Sequence, residues 1–192
     1  MKNILIINGH PNAESFNSAL VESYKKGALK SGAKISEINI RDLKFNPNLE
    51  YGYSKRMELE PDLLDAWKKM NDASHLVFVF PMWWGFTPAM LKGFFDRMLL
   101  PGFAFKYREN SHLWDKLLKG KTAHIICTTD YPIFYYKWIL GEPGIKTIRK
   151  MILGFCGIKT TKTTYIGPVR NSSIEYRTSA LQKTQGLGLK LL

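Results

Sequence analysis

The sequence predicts an α/β fold: a five-stranded parallel sheet in the order 2-1-3-4-5, with helices on both faces as a three-layer sandwich. Three observations carry the parallel sheet and its helical layers; the 2-1-3-4-5 order is the natural expectation for five such strands. Short apolar runs alternate with longer segments of helical periodicity in the order β-α-β-α-β-α-β-α-β-α, which demands crossover connections and hence parallel strands. The runs Asn3–Asn8 and His75–Phe80 are hydrophobic almost throughout, as strands covered on both faces are. The 192 residues, 45% hydrophobic and 23% charged, have the size and composition of one globular domain, so residues 1–192 are read as a single unit.

The first strand, NILIIN, ends in Gly9-His10-Pro11, a loop signal. Ser15 then offers an N-cap, and Phe16, Ala19, Leu20, Tyr24 and Ala28 recur at helical spacing up to Gly32. Lys34–Ile40 alternates like a second strand. The segment from Asp42 to Pro61 is rich in Asn, Pro, Tyr and charge and reads as a surface excursion, and Pro61 opens a helix to about Asp72. His75–Phe80 is the most hydrophobic run and takes the central place. Pro81–Thr87 is a loop, and Pro88 opens a helix through Ala89, Leu91, Phe94, Phe95 and Met98. Leu100–Leu118 reads as a long aromatic and basic connection. Thr122–Cys127 is the fourth strand, a helix runs from about Gly144 to Phe155, and Lys159–Ile166 is the fifth strand. Ser172 or Ser173 caps a last helix to about Leu187.

Charge is distributed unevenly. The chain carries 28 basic and 16 acidic residues, a net charge of +12. Up to Asp96 there are 12 basic and 11 acidic residues; the second half therefore holds 16 and 5. An excess confined to one half suggests a local anionic partner. No RNP, zinc-finger or helix-turn-helix pattern accompanies it, so no nucleic acid is expected. Cys127 and Cys156 are too few for a disulfide framework and form no CxxC pair, which fits a reduced, cytoplasmic setting. The apolar run near the N-terminus is too short for a signal-peptide core. The uncharged stretch His75–Leu91 is interrupted by Pro81 and Pro88, against a membrane span.

In a sheet of this order the ligand site lies at the switch point, beyond the C-terminal ends of the first and third strands. Three loops stand out there. Asn8–Ser18 joins the first strand to the first helix, where Ser15, Asn17 and the backbone N–H groups of the helix start suit a phosphate; Ser15 as a mere helix cap is the equal alternative. There is no GxGxxG and no GxxxxGK[ST]. Pro81–Lys92 carries Trp83, Trp84 and Phe86, a flat apolar wall for a planar heterocycle, or else core or interface packing. Thr128–Tyr136 mixes hydroxyls, the Asp130 carboxylate and three tyrosines; a wet loop is the bland account. His75 and His124 fall in strand patterns and read as packed residues, and His112 sits in a polar loop. Without HxH, HExxH or a Cys/His cluster no metal site is expected. Without GxSxG or a nucleophile-base pair, the reactivity of an enzyme built this way must come from a cofactor.

The segments ILIINGHPNAESFNSAL, FVFPMWWGFTPAMLKGFFDRML and GFAFKY, together with the late GFCGIKTTKTTYIGPVRNS, resemble the NAD(P)H:quinone oxidoreductases of the flavodoxin-like superfamily, bacterial members included. The resemblance runs over nearly the whole chain. It implies a flavodoxin-like flavin-binding domain, a tightly held flavin and a homodimer. By matching positions, His10, Ser15, Phe16 and Asn17 bind the flavin phosphate and ribityl chain; Pro81, Met82, Trp83, Trp84 and Gly85 line the isoalloxazine; and Thr128, Thr129 and Asp130 meet its pyrimidine side. Trp84, Phe105, Tyr107 and Tyr136 form the substrate pocket, Phe105 and Tyr107 being lent by the neighbouring subunit, and Tyr136 matches a catalytic tyrosine near the flavin edge. Two positions depart from the animal enzymes: Asp130-Tyr131 replaces paired glycines, and Glu142 falls where they have a histidine, so a histidine relay is not expected here. The implied reaction passes hydride from NAD(P)H through FMN, with FAD as the alternative, to a quinone, nitroaromatic or similar planar acceptor by a ping-pong mechanism. Without the long C-terminal extension of the animal enzymes, FMN is favoured. The family also contains ancillary subunits of potassium-efflux systems, so a flavin-binding regulatory subunit with a membrane-transporter partner is the competing expectation.

Overall fold

The computed structural model describes residues 2–191. Its main sheet has five parallel strands, β1 (Asn3–Asn8), β2 (Lys34–Asn39), β3 (His75–Pro81), β6 (Thr122–Thr128) and β7 (Lys159–Ile166), in the spatial order β2-β1-β3-β6-β7. This is the expected 2-1-3-4-5 order once two short strands, β4 (Phe105–Tyr107) and β5 (Trp114–Lys116), are set aside. Central β3 is buried over its whole length, which accounts for its unbroken hydrophobicity.

One face of the sheet is covered by α1 (Phe16–Lys30) and α5 (Ile174–Leu189). Ile4, Ile6, Val77, Val79 and Ile126 point into this layer against Leu20, Val21, Tyr24 and Ala180. The other face is covered by α2 (Pro61–Asp72), α3 (Ala89–Met98) and α4 (143–156), against Leu5, Ile7, Leu76, Phe78 and Ile125. Strand neighbours thus supply opposite faces at period two. Ser15 caps α1 through its Oγ, which accepts from the Ser18 N–H at 3.2 Å, and Ser173 caps α5 in the same way. α1 and α5 cross so closely that a Cβ on Gly188 would run into the Tyr24 carbonyl oxygen.

Three elements depart from the expectation. The connection after α3 is not irregular throughout: β4 (Phe105–Tyr107) and β5 (Trp114–Lys116) form an antiparallel hairpin, anchored by Trp114 stacking on Phe155 at 4.3 Å. Strands of three residues are too short to show a period. α4 opens and closes with α-helical turns, Pro143–Lys146 and Gly154–Cys156, but is π-helical over Thr147–Leu153. A further π-helical turn, Tyr135–Ile139, lies in what read as loop. The excursion between β2 and α2 is tied down from below by Arg97 of α3. This side chain is fully buried, bonded to both Glu60 carboxylate oxygens (3.0 and 2.8 Å) and to the carbonyls of Asn46 and Glu58.

Among the described residues no helix is long and apolar enough to cross a membrane, and no group of His, Cys, Asp and Glu is placed to hold a metal ion. Both cysteines are buried. His75 and His124 pack as strand residues, bonded to Thr122 Oγ1 at 2.7 Å and Thr164 Oγ1 at 2.9 Å.

Candidate functional site

The three singled-out loops meet at the C-terminal ends of β1, β3 and β6, because those strands are neighbours in the sheet. The His10 ring meets the edge of Trp83 at 5.9 Å between centroids. Asn17 Nδ2 donates to Thr128 Oγ1 at 3.0 Å, and the Met82 N–H donates to the Thr128 carbonyl at 2.7 Å. Each loop is therefore held by another that is distant in sequence.

In the first loop, the His10 Nδ1 accepts the Asn12 N–H at 2.9 Å, which leaves Nε2 to carry the proton of the neutral ring. Burial pulls the His10 pKa below its ordinary value, so the ring is held neutral. The Ser15 hydroxyl serves α1 as its cap and lies 3.1 Å from Ser18 Oγ. Asn17 is buried, with its amide spent on Thr128, so it ties loops together instead of presenting a free amide. What the helix start does offer is backbone. The N–H groups of Phe16 and Asn17 enter none of the hydrogen bonds of the described chain, and the helix dipole adds to their pull on an anion.

The second loop is a tight turn. The Trp83 N–H and Phe86 carbonyl bond at 3.0 Å, and the Phe86 N–H and Trp83 carbonyl at 2.9 Å. Between them Trp84 (φ 52°) and Gly85 (φ 75°) stand in the left-handed region. That conformation is strained for tryptophan. It leaves the Trp84 side chain 98% exposed and both intervening N–H groups without a partner in the described chain. Nothing lies within 4 Å of where a Gly85 Cβ would stand. Pro81, the last residue of β3, and Met82 after it are buried at the foot of this turn, so the exposed wall is Trp83 and Trp84, with Gly85 half-buried beside them.

In the third loop, Thr128 and Thr129 are buried. Thr129 Oγ1 accepts the Tyr131 N–H at 3.0 Å, and Asp130 Oδ1 accepts the Arg170 N–H at 2.8 Å. These side chains shape the loop before they can serve a ligand. Gly167 backs it closely: a Cβ there would meet the Thr129 carbonyl.

Tyr136 departs from the substrate-pocket expectation. It is fully buried under the second loop, where its hydroxyl donates to the Gly85 carbonyl at 3.2 Å and accepts the Ile145 N–H at 3.3 Å. That N–H belongs to the first turn of α4, whose N-cap residue Glu142 supplies no side-chain bond. The tyrosine therefore both caps a helix and braces the Trp83–Phe86 turn. Burial raises its pKa, keeping the hydroxyl protonated. Gly144 allows this contact, since a Cβ there would run into the Gly85 carbonyl oxygen. Sequence reading missed this brace because its partners are 51 and 9 residues away.

Phe105 also differs from the expected exposed lid. It is buried within its own chain against Phe155 (4.9 Å between centroids), and Phe103 packs on Trp67 at 5.0 Å; only Tyr107 stays exposed. Phe105 and Tyr107 line an open cleft of about 360 Å³ with Phe95, Met151 and Phe155. No residue of the Trp83–Gly85 turn lines it.

The donor set suits a phosphorylated planar heterocycle such as a flavin mononucleotide. An anion can take the free N–H groups at the start of α1, and a flat ring can lie against the exposed tryptophans with the Trp84 and Gly85 N–H groups at its polar edge.

A family model described as a flavodoxin-like fold matches residues 2–186. NAD(P)H dehydrogenase (quinone) 1 of Rattus norvegicus is 27% identical over 207 residues, spanning 95% of this chain and 74% of that protein. An uncharacterized NAD(P)H oxidoreductase of Haemophilus influenzae is 28% identical over 199 residues, spanning 95% and 94%. Among solved structures, an FMN-dependent NADH-azoreductase from Bacillus anthracis in complex with FMN superposes with a TM-score of 0.70 at 21% identity, covering 100% of this chain and 99% of that one. That last likeness bears on the fold.

Proposed function

Because the chain belongs to the flavodoxin-like fold family, we propose that it is an NAD(P)H oxidoreductase that binds FMN at the three-loop cleft and reduces a quinone-type acceptor. One observation carries the reading: an exposed, strained Trp83–Phe86 turn with two free N–H groups, packed on the first loop through His10, whose following helix leaves the Phe16 and Asn17 N–H groups free at the switch point. Curated relatives named as quinone dehydrogenases and NAD(P)H oxidoreductases, similar over nearly the whole chain, support it.

FMN bound there supplies a two-electron carrier, through which NAD(P)H and a proton convert a quinone to its hydroquinone with release of NAD(P)⁺. The chain's own part is positioning. The N–H groups of Phe16 and Asn17 hold the phosphate, with a dipole contribution of about 0.3–1 kcal/mol. Trp83 and Trp84 give the ring an apolar wall, and the N–H groups of Trp84 and Gly85 orient its polar edge. Tyr136 and Gly144 keep that turn from collapsing. Of the proposed cofactor contacts, His10, Ser15, Phe16, Pro81, Met82, Thr129 and Asp130 shape the cleft or rim it.

If NAD(P)H and the acceptor used one site in turn, ping-pong kinetics would follow. We also place the working unit as a homodimer. Tyr107, Met151, Trp84 and Trp138 are exposed, and the cleft that Tyr107 lines includes no residue of its own Trp83–Gly85 turn, so this surface is available to a second copy. The test is direct. Purified protein is expected to be yellow, to release FMN on heating, and to give parallel double-reciprocal lines with NAD(P)H and a soluble quinone. Folded protein that takes up neither FMN nor FAD refutes the reading.

A further inference from the structure

Between β7 and the helical stretch 135–156 lies a second open cavity, of about 210 Å³, lined by none of the residues of the three-loop cleft just described. β7 ends the sheet and pairs only with β6, so the edge it turns outward carries backbone groups outside any ladder. Lys137 comes to the cavity from the π-helical turn, Arg149 from α4 and Lys162 from β7, and Glu142 is the one carboxylate in its lining. Lys137 Nζ lies 5.5 Å from the centroid of the Tyr165 ring and 5.9 Å from that of Trp138. Those rings hold the ammonium in place without neutralising it. Neither Lys137 nor Lys162 enters an ion pair among the described residues, and Arg149 Nη1 reaches Glu142 Oε2 only at 3.9 Å. The buried Tyr165 hydroxyl, on a residue of the same lining, makes no hydrogen bond among the described residues. Three cations from three separate elements therefore converge on one concavity with a single carboxylate between them. Their mutual repulsion is relieved when an anion sits among them, and a guanidinium flanked by ammonium groups matches the several oxygens of a tetrahedral oxyanion.

We propose that this cavity binds a phosphate-class oxyanion through Lys137, Arg149 and Lys162, apart from the cleft at the start of α1. Glu142 holds Arg149 at the site and bounds how deep the anion enters. The inner wall leads to Tyr136, whose ring centroid is 6.0 Å from that of Tyr165, so the bound anion is separated from the brace of the Trp83–Phe86 turn by one side chain. The inference stands whether or not the cleft holds a flavin.

The phosphate has two possible sources: free inorganic phosphate, or a phosphate carried on a nucleotide. Isothermal titration of the full chain with sodium phosphate, and separately with 2′,5′-ADP, at constant ionic strength set by chloride, tests the site and tells the sources apart. The expected result is saturable one-to-one binding of inorganic phosphate, weakened at least tenfold in an Arg149→Gln, Lys162→Gln double variant. Lys150→Gln, an exposed neighbour outside the cavity, is expected to leave it unchanged. Lys162→Gln alone, on the edge strand, is expected to weaken binding at least threefold and serves if the double variant fails to fold. Tenfold tighter binding of 2′,5′-ADP, lost in the same variants, assigns a nucleotide phosphate; equal affinities assign the free anion. Absence of saturable binding, retention of affinity in the cavity variants, or equal weakening by Lys150→Gln overturns the proposal.

Discussion

Replacing Tyr136 by phenylalanine separates two roles for this residue. As a catalytic tyrosine at the flavin edge, it would lower turnover when changed and leave stability alone. As the buried brace seen here, it makes two hydrogen bonds, to the Gly85 carbonyl at 3.2 Å and from the Ile145 N–H at 3.3 Å. Both are long, so each contributes toward the lower end of about 0.5–1.5 kcal/mol. The larger effect is what remains behind. Ile145 is 1% exposed, and its N–H loses its partner with no water at hand, which costs about 1–3 kcal/mol. The Gly85 carbonyl loses its donor as well. The total is about 2–3 kcal/mol, which for a chain of this length lowers the melting temperature by roughly 5–10 °C. Urea unfolding with an m-value of about 2 kcal/mol/M moves its midpoint by about 1 M. Flavin affinity should fall as well, since the turn bearing Trp84 is no longer held. The measurements are urea and thermal unfolding of the apoprotein, followed by titration with FMN. An unchanged midpoint together with reduced turnover would refute the brace and restore the catalytic reading.

Three further outcomes follow from the packing. Burial, with the charges of Lys2 and His124 adding to it, lowers the His75 pKa from 6.5 to about 4. The unfolded chain therefore takes up this proton first, and the stability present above pH 6.5 is lost as pH falls through 4, about 3 kcal/mol in all; urea midpoints between pH 7 and 4 should show this slope, and His75→Gln should flatten it. Gly188→Ala drives a Cβ into the Tyr24 carbonyl and should destabilise by about 1–3 kcal/mol, whereas Gly186→Ala, with open space at that point, should stabilise by up to about 1 kcal/mol; equal urea midpoints for the two would contradict the close crossing of α1 and α5. Arg97→Met takes the guanidinium from Glu60, which keeps the Asn46 N–H, and from the Asn46 and Glu58 carbonyls; it should cost about 2–4 kcal/mol and open the 43–60 excursion to limited proteolysis first.

The strands and most helices were legible because each is a local pattern. NILIIN and HLVFVF are apolar without alternation, Ser15 and Ser173 stand at the cap positions, and Pro61 stands at the start of its helix. Alternation gave a parallel sheet with helices on both faces; the 2-1-3-4-5 order was the expectation for five such strands, and it placed the loops after β1, β3 and β6 on one edge of the sheet. The resemblance then selected residues within those loops. What periodicity could not show were elements held by distant partners: the β4–β5 hairpin, whose strands are too short for a period, and the π-helical turns.

The sequence alone therefore determined the elements and the layers, since these depend on hydrophobic period, caps and turn residues that act over a few positions; the neighbourhood of the site followed from the strand order expected for five parallel strands. Only the tertiary structure decided which polar groups are free to meet a ligand. Ser15, Asn17, Thr128 and Tyr136 all look like ligand donors in sequence, yet each is engaged within the chain, Asn17 with a residue 111 positions away. Apart from the His10 ring N–H, the donors left over are backbone N–H groups at Phe16, Asn17, Trp84 and Gly85, which every residue but proline possesses. Their availability depends on which neighbours folding has already satisfied, and no residue type encodes that.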